Sequence, residues 1–220
     1  MERIFAIGDI HGCAKTFEKL LFDKIQIQKT DSIYCVGDYI DRGKRSKEVI
    51  DFILGLKEEG YHIYTLRGNH EQMMLDSVTN EEAMDVWLSN GGKVTMRSFG
   101  INSVNDLPDK YLSFFKSTEY YIIKDNYIFV HAGLNFSIQN IFEDKTAMLW
   151  IRGFAPYQPA LENKLLIHGH TPVSLKYIIN QNGNCINIDG GCVYKHRKLL
   201  GNLVAFDLNE RKFISISNCE

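Results

Sequence analysis

Short runs of β-branched and aromatic residues, each closed by a glycine and a polar cluster, recur through the first third of the chain. Ile4 to Ile7, Ser32 to Val36 and Tyr61 to Leu66 have the length and composition of buried strands. Between them the apolar period changes. Phe17, Leu20 and Leu21 fall at helical spacing, and so do Val49, Ile50, Ile53, Leu54 and Leu56, with Ser46 as the expected N-cap and Gly60 as the stop. Three strand–helix units in succession predict an α/β layer that collects ligands at the carboxyl ends of its strands.

From Gln72 to Lys116 the pattern is mostly helical and predicts a cap that shapes a substrate groove, with Met73, Met74 and Trp87 as packing residues. Strands then return at Tyr120 to Ile123, Tyr127 to Val130, Leu165 to Ile167, Leu203 to Leu208 and Phe213 to Ile216. Lys176 to Ile188 reads as a hairpin turned at Asn182 and Gly183, which makes the C-terminal half a largely antiparallel layer. With 220 residues, 45% hydrophobic content and no repeat or linker, the chain is expected to form one domain over residues 1–220.

The polar clusters that end these strands carry the chemistry. Asp9 and His11 follow the first, and residues two apart in extended chain share a face. Asp38, Asp41 and Arg42 follow the second, Asn69, His70 and Glu71 the third, and His131 and the pair His168 and His170 two later ones. Carboxylate, imidazole and amide donors without thiolate suit Mn, Fe, Zn or a similar first-row ion. Asp9, His11, Asp38, Asn69, His131 and one of His168 or His170 are too many for one tetrahedral ion. They suit two divalent ions sharing a carboxylate, about 3.5–4 Å apart, with a hydroxide held between them.

Five blocks now stand in order: GDIHG at Gly8 to Gly12, GDYIDRG at Gly37 to Gly43, GNHE at Gly68 to Glu71, HAG at His131 to Gly133 and GHTP at Gly169 to Pro172. Together they resemble the phosphoprotein phosphatases, within the binuclear metallophosphoesterases, and the match extends to about Gly191. GNHEQMM at Gly68 to Met74 and the Trp150 to Arg152 triplet are similar to the compact bacterial and phage branch, such as the phage lambda phosphatase. The resemblance implies an α/β fold, a four-layer α/β/β/α sandwich with a mixed β-sandwich core and a helical cap. It also implies that Asp9, His11 and Asp38 hold one metal and that Asp38, Asn69, His131 and His170 hold the other, manganese being the expected ion. His70, oriented by Asp41, matches a general acid for the leaving oxygen, and Arg42, Arg152 and Asn69 match phosphate-binding positions.

Charge and cysteines narrow the setting. With 25 basic and 27 acidic residues the net charge is −2, so no global field draws nucleic acid or a membrane surface, and anion recognition must be local. Five cysteines without a C-x-x-C pair suggest neither a disulfide framework nor a zinc knuckle. The short apolar stretch at the start does not suit a signal peptide, and a cytoplasmic location is expected. Where relatives of this kind often carry Ile-Asp-Thr-Gly and a Gly-Gly turn, this chain has Ile188 to Gly191 and then Lys195, His196, Arg197 and Lys198. That basic turn is expected as a solvated loop, or as a face for acidic phosphopeptides or a polyphosphate chain.

The leading expectation is a phosphomonoesterase that removes phosphate from phosphoserine and phosphothreonine in proteins, with phosphotyrosine a secondary target, by in-line attack of the bridging hydroxide. The same machinery serves an alternative, symmetrical hydrolysis of diadenosine tetraphosphate. A non-catalytic scaffold is the third reading. Against it stands the retention of every ligand-type residue together with His70 and Asp41.

Overall fold

The computed structural model describes residues 2–220. Strands β1 (Ile4–Ile7), β2 (Ser32–Cys35) and β3 (His62–Thr65) pair in parallel, and β8 (Asn202–Asp207) and β9 (Lys212–Ser217) continue the sheet antiparallel on the other side of β1, giving the order β3-β2-β1-β8-β9. Its central strands are apolar on both faces because both are covered. Phe5 and Ile7 of β1 point into a core shared with helices α1 (Ala14–Lys19) and α2 (Ser46–Glu58), whereas Ile4 and Ala6 point at the second sheet.

The second sheet has the order β4-β5-β6-β7, from β4 (Tyr121–Lys124), β5 (Tyr127–Val130), β6 (Leu165–His168) and β7 (Cys185–Asn187). Phe129, Leu165, Ile167 and Ile186 fill the space between the sheets with Tyr34, Leu66 and Phe206 of the first. Tyr34 stacks on Phe129 at 4.2 Å between ring centroids. Beneath the second sheet, Ile128, Val130 and Leu166 pack with Met148 of α7 (Lys145–Trp150). Helices, sheet, sheet and helix form four layers, as the resemblance implied.

Two expectations fail here. The C-terminal half is not a largely antiparallel layer: β5, β6 and β7 run parallel, only β4 opposes β5, and β8 and β9 belong to the first sheet. Nor does Lys176 to Ile188 form a hairpin. The Ser174 side chain accepts the Tyr177 N–H at 3.2 Å and starts helix α8 (Leu175–Ile179), which crosses over to β7. The Gln181 side chain then accepts from the Asn187 N–H and donates to its carbonyl, taking the place of a strand partner.

The cap follows the sequence pattern, with α3 (Asn69–Asp76), α4 (Glu81–Trp87), α5 (Lys93–Phe99) and α6 (Asp109–Lys116). Arg67 ties its end to β3 by donating to the carbonyls of Lys116 and Thr118 and to the Tyr120 hydroxyl. All five cysteines are free, and no helix among the described residues is long and apolar enough to cross a membrane.

Replacing Phe129, which is fully buried between the sheets, with alanine is expected to lower the unfolding free energy by about 3–5 kcal/mol. Tyr64→Ala, at the 41% exposed outer end of the same aromatic stack, should cost roughly 1 kcal/mol or less. Urea denaturation of the two variants checks the order.

Candidate metal centre

The carboxyl ends of β1, β2, β3, β5 and β6 open toward one place, and the polar residues that follow them meet there. Asp38 stands at the middle. Its carboxylate belongs to two groups of donor atoms, one with His11 and His70 and one with His131 and His170, each group lying within 4.8 Å. His11 Nε2 is 3.4 Å from Asp38 Oδ2, and His131 Nε2 is 3.5 Å from Asp38 Oδ1. Asn69 Oδ1 joins the second group, 3.0 Å from His131 Nε2 and 2.9 Å from His170 Nδ1. Asp9 lies just outside both groups, where its carboxylate accepts the His170 N–H at 3.1 Å. His168 is at the end of β6 with its ring edge against Phe154, 5.3 Å away, and makes no contact with Asp38.

The backbone turns sharply to present these groups. His11, Asp38, Asp41, Arg42 and His170 all have positive φ, between 46° and 70°. Non-glycine residues held in the left-handed region are costly, and they persist where surrounding contacts over-determine them. Gly12 packs so closely on Gly43 that an added Cβ would lie 2.6 Å from its carbonyl oxygen, and a Cβ at Gly68 would strike Asp38 itself. Glu71 accepts the N–H groups of Asp38, Tyr39, Ile40 and Gly68 at 2.8 to 3.3 Å, clamping the whole loop onto the start of α3. Burial and the charge of Asp38 push Glu71 up to about 8, against the opposing pull of His70 and of the N–H groups of Tyr39 and Asp38.

The protonation pattern suits metal ligands. Nδ1 of His11 donates to the Ile40 carbonyl and Nδ1 of His131 to that of Val36, so each Nε2 offers a lone pair. Burial, the largest influence, keeps His11 and His131 below the usual imidazole range and brings His170 down to about 3. Burial opposes ionisation of Asp38 too, but His131, His70, His11 and Arg42 outweigh it and hold that carboxyl well below its usual range. Asp9 is raised by burial first and then by Asp189 and Asp38.

The donor chemistry itself tests whether cations fit. His131 Nε2, Asn69 Oδ1 and Asp38 Oδ1 converge as three electron-rich atoms with no proton to share, and Asp189, pushed up to about 7 by burial, leaves Oδ2 without a partner. Such convergence is unfavourable unless a positive charge sits among the donors. Nitrogen and oxygen donors of this kind fit first-row divalent ions.

Beside the cluster, His70 Nδ1 is 2.6 Å from Asp41 Oδ2, and both side chains are buried. Asp41 in turn accepts from Trp87 Nε1 at 3.0 Å and Thr95 Oγ1 at 2.6 Å, and its own N–H is taken by Thr95 and Ser46. Burial would lower the His70 pKa, but the charge of Asp38 and the bond to Asp41 outweigh it and raise it. Arg42 donates to His11 Nε2, while Arg152 is exposed at the rim near Trp150, whose ring meets His170 edge-on at 6.2 Å.

The profile of the calcineurin-like phosphoesterases matches residues 2–206. The chain belongs to the calcineurin-like phosphoesterase family. Over 98% of its length it is 25% identical to the bis(5'-nucleosyl)-tetraphosphatase PrpE [asymmetrical] of Oceanobacillus iheyensis, covering 92% of that protein. It is 38% identical over 89 residues to serine/threonine-protein phosphatase 1 of Salmonella typhimurium, which is 40% of this chain and 38% of that one. The solved cold-active protein-tyrosine phosphatase of a psychrophilic Shewanella shares the fold, with a TM-score of 0.67 at 16% identity over 99% of this chain and 81% of that one. Divalent metals belong to the chemistry of this metallophosphoesterase family, and the donor set above fits them.

Sequence reasoning did not assign four residues that build this phosphoesterase site. Glu71 was visible in GNHE but without a task; its signal was the turn of N–H donors that a glycine-rich loop leaves unpaired. Trp87 was expected to be packing, and it donates to Asp41. Thr95 carried no signal, and Ser46, expected as the N-cap of α2, turns its hydroxyl inward to the Asp41 N–H.

Glu71→Gln swaps an acceptor for an amide whose NH2 opposes backbone donors. An expected loss of about 1–3 kcal/mol in stability, together with weaker binding of divalent metal, is checked by thermal unfolding with and without manganese.

Proposed function

We propose that this phosphoesterase is a metal-dependent hydrolase of bis(5'-nucleosyl) tetraphosphates, cleaving asymmetrically. The observation that carries it is the pair of donor groups sharing Asp38, in a chain whose similarity to an asymmetrical tetraphosphatase runs almost end to end. The symmetrical tetraphosphatase of Nitrosospira multiformis is matched over 60% of the chain and 43% of its own length. On this reading Asp9, His11 and Asp38 hold one ion, Asp38, Asn69, His131 and His170 hold the other, and manganese is the expected pair. When bound, the ions supply Lewis-acid charge and a water of lowered pKa.

The chain's own residues do the rest. Arg42, against His11, and Arg152, exposed near Trp150, offer planar forks to the phosphate oxygens. His70, charged through its contact with Asp41, donates a proton to the departing oxygen. Trp87 and Thr95 fix the Asp41 carboxylate so that the His70 ring keeps one orientation. A triphosphate leaving group needs that proton less than an alkoxide does. The presence of a complete His70–Asp41 pair therefore favours a second reading, a phosphomonoesterase acting on phosphoserine and phosphothreonine, which the local similarity to the Salmonella phosphatase also supports.

Metal-stripped protein should be inactive and regain turnover with manganese. Side-by-side assays on diadenosine tetraphosphate and a phosphothreonine peptide are expected to show ATP and AMP released faster than peptide phosphate. ADP as the main nucleotide product would instead mean symmetrical cleavage, and a faster peptide reaction would favour the second reading.

His70→Asn is expected to lower kcat roughly 10²–10⁴-fold on alkyl phosphates and much less on p-nitrophenyl phosphate, whose leaving group needs no proton. Equal losses on both would remove the acid role from His70.

A further inference from the structure

Arg42 reaches two places. One end of its guanidinium meets His11, and its Cζ also lies 5.7 Å from the ring of Tyr194, which Arg197 covers at 4.4 Å. Past that ring opens a cleft of about 450 Å³ between the loop after Gly43 and the turn after Val193. Four basic side chains line it, Arg42, Lys44, Arg45 and Lys195, with His196 beside them; Glu220 is the carboxylate in the wall, and Glu48 pairs with Arg45 at 2.6 Å from outside it. For a chain of net charge −2 this is a strong local excess of positive charge. The turn that carries Lys195 and His196 is built rather than loose: Asp189 accepts the Gly191 N–H, Tyr194 donates to the Gly191 carbonyl, and Gly201, at φ 95°, packs directly against the Lys195 backbone. Glu220 is held at the same wall, its side chain accepting from Thr16 and pairing with Arg45 at 3.2 Å while its main-chain oxygen accepts from Lys195.

We infer that this cleft is a subsite for the phosphates beyond the scissile one, so that the substrate of the site is a polyphosphate chain whose unreacted phosphates run from Arg42 toward Lys44 and Lys195. This rests on the reading of the centre as a phosphoester hydrolase and narrows its substrate class. The volume falls in the range of small-ligand sites, and the wall offers several N–H donors to a chain with oxygens at every phosphorus. An arriving polyphosphate competes with Glu48 and Glu220 for Arg45 and with Glu220 for Lys195, so Glu220 tunes the affinity.

The probe is inorganic tripolyphosphate, measured as a competitive inhibitor of p-nitrophenyl phosphate turnover by the manganese-loaded protein, with orthophosphate in parallel. The comparison is between the natural chain and Lys44→Ala/Lys195→Ala. Metal sequestration by tripolyphosphate affects both proteins equally, so the readout is the ratio of their inhibition constants. Tripolyphosphate should bind the variant about tenfold more weakly, the size expected of two partly solvated charge contacts, with orthophosphate nearly unaffected. Glu220→Gln should shift tripolyphosphate the other way, and Lys195→Arg should retain tight binding. Equal tripolyphosphate inhibition of natural chain and double variant overturns the subsite, even if the natural chain cleaves diadenosine tetraphosphate. Selective loss of tripolyphosphate affinity in a protein that leaves the dinucleotide intact keeps the subsite and removes the dinucleotide reading.

Discussion

A carboxylate withdrawn almost wholly from water must be compensated, and the need to compensate Asp38 organises the centre of this molecule. Its oxygens face imidazoles on both sides, and its own N–H and those of its neighbours are gathered by Glu71. An isolated buried charge would be prohibitive, so every strand end that approaches contributes a donor, a lone pair or a turn of backbone. The positive φ angles at His11, Asp38, Asp41, Arg42 and His170 are the local cost of that convergence, and the two-sheet frame is rigid enough to sustain it.

The cap has a more definite task than enclosing a groove. Trp87 of α4 and Thr95 of α5 both end on Asp41, and the hydroxyl of Ser46 at the start of α2 reaches the Asp41 N–H. Two helices thereby hold the Asp41 carboxylate and a third its backbone, and that carboxylate holds His70. Gly91 and Gly92 make this possible: an added Cβ would collide with Arg42 at the first and with the Trp87 ring at the second. The chemistry of the centre is thus coupled to the packing of α4 and α5, which offer it no donor of their own.

On either side of Asp38 the surroundings differ. The Arg42 side continues into a wall of cations, whereas the Arg152 side opens on Phe154, Tyr177 and the edge of His168. The two faces of the centre therefore differ in chemistry, one charged and one aromatic. That asymmetry is a property of the loops after β2, β6 and β7 and of the segment after α7.

The sequence by itself determined the strand–helix units of the first sheet, the helical character of the cap, and which polar clusters follow the strands. Each is local: apolar period sets the element, and a glycine-bounded polar cluster after a strand sets what is offered at its end. Only the tertiary structure decided that β5, β6 and β7 run parallel, because a crossover through α8 and a hairpin share the same Asn182–Gly183 turn signal and differ in whether Ser174 and Gln181 find their backbone partners. It likewise decided the tasks of Glu71, Trp87, Thr95 and Ser46. Their partners are supplied by segments up to 54 residues away, as between Thr95 and Asp41, and no spacing along the chain can announce a contact that exists only once two layers have closed on each other.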